Sequence, residues 1–86
     1  MRIALTNRFK RAYADLQPGD QARADKALKL LVTNLRHPSL RVKKIRGTES
    51  IWEARVSQSI RLTFEAHADL IVLRNIGKHN TTLGRP

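Results

Sequence analysis

At Pro38 the spacing of the apolar residues changes, and with it the structure the chain can form. Before it, Phe9, Ala12, Tyr13 and Leu16 recur at i, i+3, i+4 and i+7, and Ala24, Ala27, Leu28, Leu31 and Leu35 make a second stripe. Each is one face of a helix. After it, Trp52, Ala54 and Val56 alternate with Glu53 and Arg55, and Ile60, Leu62 and Phe64 alternate with Arg61, Thr63 and Glu65. Alternation of that kind marks a strand with one buried side. Leu70 to Ile76 is nearly continuous in apolar and β-branched residues, as a central strand covered on both faces would be, and Gly77 closes it. Val42 to Arg46 reads as a short strand and Met1–Leu5 as another.

The punctuation agrees. Thr6 or Asn7 can cap the first helix, Pro18-Gly19 stops it, and Asp20 is the next candidate cap. The second helix runs to His37, because the residue before a proline leaves the helical region. Ser57-Gln58-Ser59 and Ala66 to Asp69 are turns, and Lys78 to Pro86 is a polar loop or fraying turn. The predicted order is β-α-α-β-β-β. It is an α+β fold, an antiparallel sheet with an N-terminal αα-hairpin packed on one face. With 86 residues, positions 1–86 form a single domain.

Charge narrows the partners. Seventeen Lys and Arg against seven Asp and Glu leave +10, and eleven of the seventeen are arginines. A field this positive concentrates polyanions around the chain. The absence of cysteine removes disulfides, thiolate metal sites and a thiol nucleophile. The histidines at 37, 67 and 79 lack metal-ligand spacing, and no Gly-rich phosphate loop is present, so no cofactor or metal is expected. No apolar run approaches a membrane span, and MRIALTNRFK lacks a signal-peptide core, so a cytoplasmic protein is expected.

Helices on the Trp52 side leave the other side, with Glu53, Arg55 and Arg61, to solvent or a ligand. Arg46 and Arg74 could converge there, Lys43 and Lys44 lie at the rim, and His79 follows the last strand. Arginine grips phosphate through two parallel hydrogen bonds. Histidine changes charge near neutrality and suits a general acid or base. Such a set could cleave RNA without metal. The 2′-hydroxyl attacks phosphorus, Glu53 or His79 exchanges protons, and Arg61, assisted by Arg55, holds the phosphoryl charge.

These segments resemble a known family. Lys43-Lys44-Ile45-Arg46-Gly47, Ile51-Trp52-Glu53-Ala54-Arg55-Val56, Ile60-Arg61-Leu62-Thr63-Phe64 and Leu73-Arg74-Asn75-Ile76-Gly77-Lys78-His79-Asn80 are similar to the RelE/ParE superfamily of bacterial toxin–antitoxin systems. The resemblance covers nearly the whole chain. It implies the toxin of a type II module, a ribosome-dependent mRNA endonuclease that needs no metal and inhibits translation. Its partners would be the ribosome, mRNA and an acidic antitoxin, with no membrane, and the free toxin would be a monomer or dimer. The family's phosphate-binding arginine falls on Arg61, its paired polar positions on Glu53 and Arg55, and its closing histidine on His79. Lys43, Lys44, Arg46, Arg74 and Lys78 would bind RNA. The chain departs from the pattern where RelE has two lysines, at Glu53 and Arg55, and in lacking a tyrosine in the tail. ParE-like members share the fold, lack this set and poison DNA gyrase instead; a binding domain without catalysis is the third alternative.

Overall fold

The computed structural model describes residues 2–86. Elements follow in the order β1 (Arg2–Leu5), α1 (Asn7–Ala14), α2 (Pro18–Thr33), a 3-10 turn (Pro38–Leu40), β2 (Lys43–Lys44), β3 (Ile51–Arg55), β4 (Ile60–His67), β5 (Leu70–Lys78) and α3 (His79–Gly84). Met1, included in the expected first strand, lies outside the described residues. The sheet order is β1-β5-β4-β3-β2. From β2 to β5 every pairing is antiparallel. β1, however, runs parallel to β5, with Arg2 opposite Leu70 and Leu5 opposite Leu73, so the sheet is mixed rather than wholly antiparallel. The chain passes through the helical hairpin before returning beside β1, and such a crossover permits parallel pairing.

Thr6 caps α1, its hydroxyl accepting from the Phe9 amide while donating to the Leu73 carbonyl. One side chain therefore starts the helix and ties it to the central strand. The two helices meet in reverse order. Tyr13 donates its hydroxyl to Asp25 at 2.7 Å, Gln21 donates to the Tyr13 carbonyl, and Phe9 shares a groove with Leu28. The Tyr13 phenol is pushed up by this hydrogen bond to Asp25. Pro18 was expected to stop the first helix and Asp20 to cap the second. Instead Gln17 is the N-cap and Pro18 the first residue of α2. A proline fits there because its missing N–H would have had no helical partner. α2 ends at Thr33 rather than His37, since Asn34 leaves the helical conformation.

Phe9, Ala24, Ala27 and Leu31 from the helices bury against Ala54, Ile60, Leu62, Phe64, Ile71, Leu73 and Ile76 from the sheet. Leu40 of the 3-10 turn closes that core at 1% exposure. The expected strand Val42–Arg46 shrinks to two residues, because the Thr48 hydroxyl and Gly47 at φ 78° turn the chain away after Ile45. The turn expected over Ala66–Asp69 narrows to Ala68-Asp69.

The largest difference is at the C-terminal end. Gly77 does not close β5 but lies inside it, and the expected polar tail contains α3. A Cβ at Gly77 would stand 2.8 Å from Thr82 Oγ1. Glycine is what lets α3 fold back over the sheet face away from α1 and α2. Thr82 is buried there, and the segment beyond it is fastened by Thr63 Oγ1 and Arg74 Nε donating to the Pro86 carbonyl and by Asn75 donating to the Arg85 carbonyl.

Candidate active site

Strand pairing builds the site before any side chain is considered. On the face away from the αα-hairpin, Lys43, Glu53, Thr63 and Asn75 stand opposite one another across β2 to β5, and Arg55, Arg61 and Gly77 make the next rung. α3 and the tail roof the Thr63–Asn75 portion. What stays open is a pocket of about 210 Å³ lined by Arg41, Lys43, Glu53, Arg55, Arg61 and His79. Alternation along β3 and β4 aims Glu53, Arg55 and Arg61 into it. His79 arrives from the other side. It opens α3, and its amide donates to the Ser59 carbonyl at 2.9 Å, which pins it to the β3–β4 turn.

Arg61 Nη1 donates to the carbonyls of Ser57 at 2.6 Å and Ile60 at 3.1 Å. The turn thus holds one end of the guanidinium, while Nε and Nη2 make no hydrogen bond among the described residues. Burial holds the Arg61 guanidinium below its ordinary pKa, and the nearby charges of Arg55 and Arg41 push the same way while Glu53 opposes them. Repulsion among three guanidiniums is relieved when an anion binds between them. Glu53 is 6% exposed, with its carboxylate 3.8 Å from Lys43 Nζ. His79 Nδ1 is 3.1 Å from Asn80 Oδ1; in the tautomer whose Nδ1–H donates to that oxygen, Nε2 is left to exchange a proton.

Of the nine residues the sequence singles out, the pocket gathers Lys43, Glu53, Arg55, Arg61 and His79. Lys44 lies on the edge strand opposite Trp52, and Arg46 sits exposed in the following loop. Arg74 is engaged by Glu65 and the Pro86 carbonyl, under the tail. Its guanidinium is the main cause of Glu65 lying below the usual carboxylate range. Lys78 borders a separate concavity with Asp15 and Asp20 at the end of the helical hairpin. The pocket also takes in Arg41, which sequence reasoning passes over. Its φ of 45° and ψ of 48° bring it to the pocket's edge from the end of the 3-10 turn, and nothing about an arginine announces a left-handed backbone.

No family model matches the chain, and no curated protein matches it in sequence. Solved structures do. YafQ from E. coli strain BL21(DE3) superposes with a TM-score of 0.81 at 17% identity, over 94% of this chain and 97% of that one. The E. coli DinJ–YafQ complex gives 0.80 at 16% identity, over 94% and 97% of the two chains. The intact E. coli RelBE toxin–antitoxin complex gives 0.72 at 16% identity, over 91% and 95%. The chain has the fold of the RelE/ParE toxin superfamily.

Proposed function

We propose that the chain is the toxin of a type II toxin–antitoxin module, a ribosome-dependent mRNA endonuclease that stops translation and is neutralised by an acidic antitoxin. The observation that carries this reading is the pocket in which three guanidiniums meet one carboxylate and one imidazole. Arg61, Arg55 and Arg41 hold the non-bridging oxygens of a phosphodiester and oppose the charge that builds on them in the transition state. β4, which bears Arg61, lies between β3, which bears Glu53, and β5, which leads to His79. That order suits an in-line displacement, which needs its base and acid on opposite sides of phosphorus.

Glu53 takes the proton of the 2′-hydroxyl as its oxygen attacks. The phosphorus–5′-oxygen bond breaks, and His79 Nε2 gives its proton to the departing 5′-oxygen. The products are a 2′,3′-cyclic phosphate and a 5′-hydroxyl. Side chains fill every role, so the reaction requires no metal. The neighbours that are toxin–antitoxin complexes support a protein partner, and the chain's own charge of +10 favours an acidic one.

Arg61→Ala and His79→Ala test the reading. Each should lower mRNA cleavage in a translating extract by roughly 10²–10³-fold with an unchanged circular dichroism spectrum. Full cleavage by both variants would refute the site. Inhibition of gyrase supercoiling by a chain that cuts no message would favour the ParE-like alternative.

A further inference from the structure

A second concavity lies on the opposite sheet face, between the end of α2 and the β2 edge. Its volume is about 480 Å³, more than twice that of the reaction pocket, and its walls include Leu35, Val42, Trp52 and Phe64. Trp52, on the strand side the alternation marks as buried, packs against the core yet is only half-buried and lines this groove. The rim carries Arg36 and Arg41, both exposed, and no carboxylate lines it. Neither arginine has an ion-pair partner among the described residues. β2, beside it, is the sheet's outer strand, and an edge strand presents unpaired backbone groups.

We propose that this groove docks an acidic segment of a protein partner, which seats a large apolar side chain against Trp52 and pairs its carboxylates with Arg36 and Arg41. The proposal rests on the reading of an acidic partner above and adds where that partner sits. A protein segment fits better than RNA. The groove opens on the helical side of the sheet, so a base attached to a phosphate at Arg61 would have to round the sheet edge to reach it. Arg41 lines both cavities. Its amide donates to the Pro38 carbonyl and the preceding Leu40 is buried, which fixes the backbone from which the side chain reaches the border between them. A carboxylate in the groove therefore competes with substrate phosphate for the same guanidinium. Docking weakens the reaction pocket without entering it.

Trp52 is the chain's one tryptophan, so its emission reports on the groove directly. The full chain would be titrated with a short synthetic peptide alternating glutamate and leucine. Comparison titrations would use its serine-for-leucine counterpart, its lysine-for-glutamate counterpart and a uridine-rich RNA oligonucleotide. The glutamate–leucine peptide should shift the emission and saturate, and neither counterpart should. Affinity should fall about tenfold or more in Arg36→Glu and in Ala66→Phe, which fills the groove from an exposed position, while RNA affinity of Ala66→Phe stays unchanged. The peptide should also weaken RNA binding by the wild-type chain and lose that effect in Arg41→Gly, where glycine accepts the left-handed backbone. An equal response to the serine peptide, binding unaffected by Ala66→Phe, or RNA displacing the peptide from Trp52 in Arg41→Gly would each overturn the proposal. Peptide binding by a chain that cuts no message would sink the endonuclease and leave the groove standing; cleavage with a silent Trp52 would do the reverse.

Discussion

The two faces of the sheet are made by alternate residues of the same strands, yet they are closed by different means. Toward the helices, Ala54, Leu62, Phe64 and Leu73 are covered by hydrocarbon and are 0–1% exposed. On the other side Thr63 is as fully covered, but by α3 and the tail, and its hydroxyl donates to the Pro86 carbonyl. One face is held by area removed from water, which tolerates small movements. The other is held by directional hydrogen bonds and one tight contact at Gly77, which fix positions. The pocket that gathers Arg61 and His79 lies on the second kind of surface.

Truncation should separate the two. Phe64→Ala removes a ring from the apolar side and should cost about 3–5 kcal/mol in chemical denaturation. Thr63→Val, its neighbour on the polar side, leaves the Pro86 carbonyl without that donor and should cost about 1–3 kcal/mol. Equal losses would mean that the faces do not differ in kind. Gly77→Ala should perturb the polar face alone. Hydrogen exchange in α3 should quicken while the helical hairpin keeps its protection, cleavage should fall with the displacement of His79, and adding Thr82→Ala should restore both.

The smallest effect expected is at Glu65. Its carboxyl is depressed chiefly by the hydrogen bond from Arg74 and next by that from His67. A depressed carboxyl stabilises the fold above its unfolded pKa and loses that contribution as pH falls through the folded value. Melting temperature should therefore drop in acid, and Glu65→Gln should flatten that part of the curve. The carboxylate is partly solvated, so the shift is a modest one.

What could be read beforehand follows the same division. The apolar face is periodic, so the helical stripes and the alternation from Trp52 to Phe64 were legible, and with them the strands that bring Glu53, Arg55 and Arg61 to one side. The polar roof has no period. His79 to Gly84 shows no apolar stripe, and α3 exists because Thr82 finds the space above a glycine that read as a strand's end. Arg74 reads as a free cation, but the fold brings Glu65 and the tail to occupy it, and no pattern in the sequence links either to it. The pairing of β1 with β5 joins segments with no local signal in common, and a two-residue strand such as β2 is too short to register as alternation.

That parallel pairing also bears on when the pocket is complete. Arg2 cannot find Leu70, nor Thr82 settle over Gly77, until nearly all of the described chain has emerged from the machine that makes it. Contacts between distant segments form late and slowly. An unfinished copy that lacks β5 and α3 would have its helical hairpin but no finished pocket, because His79, which opens α3, is part of the pocket's wall.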